Sequence, residues 1–127
     1  MAKTVERKIV NYFSAMELRC RCWRPSCQAN PVKPEALRML NLLRYEWSKP
    51  LVLSSAVRCP EHNARVGGSP KSRHMEGDAF DIKCLDRNMA MALAALAEKL
   101  GFTGIGVADT FVHVDTRPGA LVRWEYP

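Results

Sequence analysis

Two stretches of the chain carry apolar residues at the three- and four-residue spacing of an amphipathic helix. Pro34 suits the first position of a helix, and the first pattern predicts a helix over residues 34–47. Asp86 is a favourable N-cap and Gly101 a favourable end, so the second pattern predicts a helix between them. The apolar stripes comprise Leu37, Leu40, Leu43 and Trp47 in the first stretch and Met89, Leu93, Leu96 and Leu100 in the second.

Other segments show the alternation or the β-branched content of short strands. Over residues 79–84 every second residue is apolar, which places Asp81 on the opposite face from Phe80 and Ile82. A turn is predicted at residues 117–119. The remaining predicted strands cover residues 51–57, 104–108, 111–116 and 121–126.

Between these elements, Pro60 is expected to open a short helix that Gly67 and Gly68 close, and residues 67–77 are expected to form a loop. Helices combined with short strands and tight turns indicate the α+β class, with a small, mainly antiparallel sheet flanked by helices. The length of 127 residues fits one domain spanning 1–127.

Composition excludes several classes of protein. Apolar residues make up 47% of the chain and charged residues 25%, and no tract repeats one residue type, which argues against collagen-like, disordered and low-complexity chains. Lysine and arginine outnumber aspartate and glutamate by 19 to 13, a net charge of +6. This charge favours nucleic acid, anionic lipid or anionic cell-wall polymer as surroundings, and does not choose among them.

The chain has no apolar stretch near the roughly 20 residues needed to cross a bilayer, and the charges in residues 1–10 do not fit a signal peptide. We therefore expect a protein made in the cytoplasm without a signal peptide. Five cysteines at irregular spacing fit reduced thiols better than a secreted disulfide scaffold.

Two of the three histidines lie in polar segments at predicted sheet edges, residues 72–81 and 111–115. Catalytic zinc is commonly held by three protein ligands drawn from histidine, carboxylate and cysteine, with a fourth position left for water. His74, Asp81 and His113 supply such a set. Spacing alone leaves open the alternative that these side chains only form hydrogen bonds at the surface or at a strand edge.

Residues 72–81 resemble the SxHxxGxAxD signature of the M15 zinc D-Ala-D-Ala peptidases at every fixed position. Residues 55–68, which include Arg58, resemble the arginine-bearing segment of the M15A branch, and residues 111–119 resemble its closing segment. The similarity covers residues 12–124, almost the whole chain. It implies a hedgehog-like fold of the DD-peptidase type.

The resemblance also implies roles for individual residues. His74, Asp81 and His113 would bind a zinc ion, Zn²⁺, as the cofactor. Arg58 would bind the substrate near the scissile bond, and Ser72 would support the substrate-binding site. The fork-shaped donors of an arginine suit a substrate carboxylate or a developing oxyanion, and a surface arginine beside a turn is the alternative.

The sequence departs from the family at the general base. Some branches carry a carboxylate three residues before the last zinc histidine and others a histidine two residues before it, whereas this chain has Thr110 and Phe111 there. Asp109 and Asp115 share a face with His113 if the strand is extended. We predict that Asp109 is the catalytic base and that Asp115 supports His113 from behind. A turn-capping role for Asp109 is the alternative.

Three other groups of potential metal ligands are interpreted differently. The HxE at residues 74–76 mimics the zinc nucleotide deaminases, but their PCxxC segment is missing. Cys20, Cys22 and Cys27 would need a fourth ligand from elsewhere to hold a structural zinc, and their spacing is not CxxC, so buried or partly paired thiols are predicted instead. His62 is expected to be a hydrogen-bonded helix residue and not a ligand.

Together these features predict a zinc-dependent peptidoglycan peptidase that hydrolyses a peptide bond at a D-amino acid in the stem peptide or cross-bridge. The absence of a signal peptide, combined with wall-degrading chemistry, suggests a phage endolysin that acts on the bacterial cell wall after release by another protein, and a host enzyme is the alternative. We expect a monomer whose partners are peptidoglycan stem peptides, with no specific nucleic acid and no membrane. Two other functions stay open: a non-catalytic zinc-containing module that binds cell wall or protein, and a basic nucleic-acid-binding domain built on the cysteines.

Overall fold

The computed structural model describes residues 10–127. The expectation about a signal peptide rests on residues 1–10 and therefore lies outside the described residues, apart from the last of them. Within the described range, no helix combines the length and the apolar character that crossing a membrane requires.

The described residues form five helices: α1 (Ala15–Leu18), α2 (Pro34–Trp47), α3 (Pro60–Arg65), α4 (Arg73–Glu76) and α5 (Arg87–Leu100). The two long helices, α2 and α5, are those that the apolar periodicity predicts. Asp86 caps α5 by accepting a hydrogen bond from the Met89 amide at 2.9 Å, and Gly101 ends the helix with a φ of 108°. Ser14 and Glu17 form a capping box that stabilises α1, which the periodicity does not predict.

The described residues form five strands in one sheet: β1 (Leu53–Ser55), β2 (Ala79–Lys83), β3 (Gly104–Val107), β4 (Phe111–Asp115) and β5 (Val122–Glu125). Their order across the sheet is β1-β2-β4-β3-β5, and every neighbouring pair is antiparallel except β3 and β5. The predicted α+β class with a small, mainly antiparallel sheet is confirmed.

Two details differ from the expectation. The turn at residues 117–119 does not close a hairpin with β4, because β5 pairs in parallel with β3. Since β2 and β3 already occupy both sides of β4, the last strand can join only a free edge of the sheet. Residues 67–77 are not wholly a loop, because Ser72 caps the short helix α4 by accepting a hydrogen bond from the His74 amide at 3.2 Å.

One face of the sheet forms the hydrophobic core. Helix α5 packs against β3, β4 and α2 on this side. Phe80 and Ile82 of β2 and Val112 and Val114 of β4 are fully buried in the core. Because side chains alternate along a strand, the residues between them point to the opposite face, where polar side chains gather.

Leu93 lies on α5 with 0% exposure, so its truncation should leave a cavity in the core. We expect Leu93→Ala to lower the free energy of unfolding by about 2–5 kcal/mol, measured by urea denaturation. Leu85→Ala is the matched control, because Leu85 is 91% exposed and the same truncation there should cost less than about 0.5 kcal/mol. Equal losses in the two variants would contradict the packing of α5.

Candidate metal centre

Three donor side chains converge on the polar face of the sheet. Asp81 of β2 and His113 of β4 are directly opposite each other in the antiparallel pairing, so their side chains are neighbours. His74 comes from α4, just before β2, and all three residues are buried. Asp81 Oδ1 lies 3.2 Å from His74 Nε2 and 3.1 Å from His113 Nδ1. The structure therefore brings together the three residues of the predicted ligand set, with their donor atoms all within 4.8 Å of one another.

Hydrogen bonds to the two imidazole rings determine which nitrogen faces this centre. His74 Nδ1 lies 2.6 Å from the carbonyl oxygen of Ala56, which can only accept, so Nδ1 carries the proton and donates. His113 Nε2 donates to Asp115 Oδ2 at 2.7 Å. His74 Nε2 is thus left as a buried lone pair that has no hydrogen-bond partner among the described residues.

A buried, unpartnered acceptor next to a carboxylate oxygen is unfavourable unless a cation lies between them. Two imidazole nitrogens and one carboxylate oxygen form a donor set that zinc accepts, and each ring is held through its other nitrogen as metal-binding histidines usually are. The residues present therefore fit a zinc ion.

Electrostatics at the centre keep Asp81 ionised. Burial raises the pKa of its carboxyl group, but hydrogen bonding to the adjacent His113 ring lowers it, and the pKa lies well below its usual range. Burial lowers the pKa of His113, but Asp115 and Asp81 outweigh this effect and raise the pKa above its ordinary value. A proton and a metal ion therefore compete for His113 Nδ1.

Asp115 lies behind His113 and is fully buried. Its Oδ2 accepts hydrogen bonds from His113 Nε2 and, at 2.6 Å, from Arg117 Nη2, and its Oδ1 accepts from Arg117 Nε at 2.9 Å. Gly104 faces this carboxylate, and a Cβ at that position would overlap it. Asp115 thus fixes the orientation of the His113 ring, which is the position that its predicted supporting role requires.

Arg58 is held by three partners at the edge of the centre. Its Nε donates to Ser55 Oγ at 3.0 Å, its Nη1 to Asn63 Oδ1 at 3.1 Å and its Nη2 to Asp81 Oδ2 at 3.2 Å. The Arg58 side chain is 13% exposed and lines the cleft beside the metal donors. Asp81 therefore presents one oxygen to the histidines and the other to Arg58.

Asp109 does not line the cleft that contains the three metal-donor side chains. It lies in the turn between β3 and β4, its side chain is 78% exposed, and it accepts a hydrogen bond from Arg87 Nη1 at 2.7 Å. The Asp109 side chain is thus held at the start of α5, instead of lying over the metal donors as expected. The assignment of Asp109 as the base stays a prediction, and this position lends it no support.

The metal donors line a cleft of about 550 Å³ that has four cationic side chains, three of them paired with carboxylates of Asp81, Asp78 and Asp115. Its cationic side chains are Arg58, Lys71, Arg73 and Arg117. Ser72 also lines the cleft, and its hydroxyl oxygen supports the site by holding the backbone of His74. Among the described residues that line the cleft, Asp81 is the only carboxylate.

Trp124 and Tyr126 form an aromatic wall of the cleft that was not predicted. The ring centroid of Trp124 lies 5.2 Å from that of His113, and the Arg117 guanidinium stacks on Trp124 at 5.1 Å. Gly106 of β3 permits this approach, because a Cβ there would overlap the Trp124 ring. The two aromatic residues alternate in the sequence, but only the parallel pairing of β5 with β3 places them beside the cleft.

The family model for peptidase M15 matches residues 11–115, which contain the three metal donors and Arg58. The chain therefore belongs to the peptidase M15 family, whose members are in general zinc-dependent metallopeptidases. No curated protein gives a significant match to the chain.

Arg58→Lys should lower kcat/KM about tenfold while leaving the metal content unchanged. Lysine keeps the positive charge, but one ammonium group cannot replace the fork that bridges Ser55, Asn63 and Asp81. The measurement is steady-state peptide hydrolysis with bound zinc quantified in parallel. Arg65→Lys is the matched control, because Arg65 is exposed on α3 and does not line the cleft. Wild-type kinetics in Arg58→Lys would reduce Arg58 to a structural residue.

Proposed function

We propose that this chain is a zinc-dependent peptidase of the M15A type that hydrolyses a peptide bond at a D-amino acid in the stem peptide or cross-bridge of peptidoglycan. The proposal is carried by the convergence of three buried donor atoms, one of them the unpartnered His74 Nε2, at the cationic cleft. His74, Asp81 and His113 would hold the zinc ion. When bound, zinc polarises a carbonyl group and lowers the pKa of a water molecule to about 7.

The charge of the cleft suits peptidoglycan peptides as substrates. Stem peptides carry free carboxylates close to their D-amino acids, and cationic side chains on the cleft wall attract such groups. Arg58 keeps N–H groups beyond those bound to its three partners, and it lies next to the metal donors, where it would orient a carboxylate or stabilise a developing oxyanion. Asp115 would keep His113 in the orientation that directs Nδ1 to the metal.

The net charge of +6 would hold the protein on the anionic polymers of the wall. Under this proposal the protein acts as an endolysin, reaching the wall after another protein releases it.

A second candidate function rests on one observation. Peptide hydrolysis needs a proton acceptor, and no described carboxylate other than Asp81 lines the cleft. This favours a non-catalytic zinc-containing module that binds the cell wall or a protein on the same scaffold.

Hydrolysis of purified peptidoglycan separates the two functions. The wild-type protein should release new amino termini or free D-alanine, detected by mass spectrometry, from walls that contain either lysine or diaminopimelate. A zinc chelator should stop this release, and added zinc should restore it. Binding to the same walls without any product, at protein concentrations equal to those of the wall peptides, would support the binding module and refute the peptidase.

A further inference from the structure

A second group of metal-binding side chains lies outside the cleft. Cys20, Cys22 and Cys27 come from the loop between α1 and α2, and Cys59 comes from the segment between β1 and α3. Their sulfur atoms all lie within 4.8 Å of one another, and all four are free thiols. The sequence around Cys20, Cys22 and Cys27 offers no fourth ligand, and the fold brings Cys59 to them from a distant part of the chain.

The spacing of the sulfur atoms suits a single tetrahedral ion. A Zn–S bond of about 2.3 Å places any two sulfurs of a tetrahedral site about 3.8 Å apart. The Sγ atoms of Cys20 and Cys59 are 3.7 Å apart. The whole group leaves room for one ion between the sulfurs and is too tight for a cluster of several irons.

Backbone amides donate to three of the sulfur atoms. The Cys59 amide donates to Cys20 Sγ at 3.3 Å, the His62 amide to Cys59 Sγ at 3.4 Å and the Arg24 amide to Cys22 Sγ at 3.5 Å. Such donors stabilise negative charge on sulfur and are the usual outer partners of thiolate ligands. Trp23 has a left-handed backbone conformation, with a φ of 58°, in the turn where the Arg24 amide donates to Cys22 Sγ.

The surroundings of the cluster are cationic. Four thiolates around a divalent ion carry a net charge of −2, which needs compensation in a partly buried position. Arg24 Nη2 lies 3.9 Å from Cys59 Sγ, and Arg19 and Arg21 both stack on the Trp23 ring within the same loop. Arg24, which also pairs with Glu61, is the cation in contact with the cluster, and Arg19 and Arg21 add positive charge in the same loop.

We propose that Cys20, Cys22, Cys27 and Cys59 bind one structural Zn²⁺ as four thiolates. Soft sulfur ligands select zinc over magnesium and calcium, and four protein ligands leave no open position for a substrate. Residues 19–33 contain no helix or strand, so the ion would cross-link this loop to Cys59. Cys59 directly follows Arg58 and caps α3, and the ion would thereby stabilise the segment that positions Arg58.

Metal analysis of the purified full-length chain tests the site. We expect two zinc ions per chain in the wild type and one in Cys22→Ser. Cys84→Ser is the matched control, because Cys84 is the fifth cysteine, is buried and lies outside the cluster, so this variant should keep both ions. His74→Ala should keep the ion of the cysteine cluster.

Cobalt supplies a readout that leaves the four cysteines intact. Cobalt(II) added to metal-free His74→Ala protein should produce an intense thiolate-to-cobalt charge-transfer absorption, which a site of histidine and carboxylate ligands cannot give. This measurement stands even if Cys22→Ser fails to fold. Absence of that absorption, a wild-type zinc content of one that falls to zero in His74→Ala, or iron in place of zinc would overturn the proposal. Each result is independent of whether the cleft hydrolyses peptidoglycan.

Discussion

His74→Ala is expected to abolish hydrolysis of peptidoglycan peptides and to lower the zinc content by one ion per chain. Alanine removes one of three ligands, and Asp81 and His113 alone hold zinc weakly. The loss in kcat/KM should exceed the roughly 10³-fold that removal of one transition-state hydrogen-bond donor costs, because the Lewis acid itself is lost. Steady-state hydrolysis and metal analysis of the same preparation measure both effects.

His62→Ala is the matched control for this variant. His62 is the remaining histidine, lies on α3 and lines no part of the cleft, so its truncation should leave zinc content and hydrolysis near those of the wild type. Added zinc should raise the melting temperature of the wild type more than that of His74→Ala, because a ligand that binds only the native state stabilises it. Undiminished hydrolysis in His74→Ala would refute the assigned centre.

Asp115→Asn is expected to lower activity or zinc affinity by about 10- to 100-fold, with part of the loss restored by excess zinc. The amide has no negative charge to balance Arg117, and only one of its two side-chain ends can accept a hydrogen bond from His113 Nε2. The His113 ring would then lose the partner that fixes its orientation. Activity measured across a zinc titration distinguishes this outcome from damage to the fold, which added metal would not repair.

Asp109→Asn is the companion variant and tests the base directly. An exposed aspartate whose partner is Arg87 should tolerate the change, so we expect activity close to that of the wild type. A loss of about 10²- to 10⁴-fold with zinc retained would instead establish the role predicted from the sequence. That result would require the turn that carries Asp109 to leave Arg87 and move over the cleft when substrate binds.

The sequence predicts those parts of the protein that depend on local patterns. Helices α2 and α5 follow from apolar periodicity and from Asp86 and Gly101, because capping and burial of one helix face act within a few residues. The alternation in β2 places Asp81 opposite Phe80 and Ile82 before any pairing is known. The signature over residues 72–81 supplies two of the three metal donors within one short segment.

Features that depend on contacts between distant segments could not be predicted from the sequence. The parallel pairing of β5 with β3 brings Trp124 and Tyr126 to the cleft, and no local signal encodes which edge a last strand joins. Cys59 joins the other three cysteines where the loop after α1 contacts β1, for example through Arg21 Nη2, which donates to the Leu53 carbonyl oxygen at 3.2 Å. The Asp109 side chain likewise pairs with Arg87, a residue of another element that no local pattern around Asp109 indicates.

The two oxygens of the Asp81 carboxylate have different partners, which would couple metal binding to substrate binding. Its Oδ1 faces the histidines and its Oδ2 accepts from Arg58, so one negative charge is shared between the metal position and the guanidinium. Under the proposed function, a substrate carboxylate that draws Arg58 towards itself would leave more of that charge for the ion, and zinc would then be bound more tightly. Coupling of this kind is reciprocal, so zinc strengthens substrate binding by the same factor. Under the proposed function, the enzyme would retain its metal best while it is occupied by substrate, and would lose it most readily when idle.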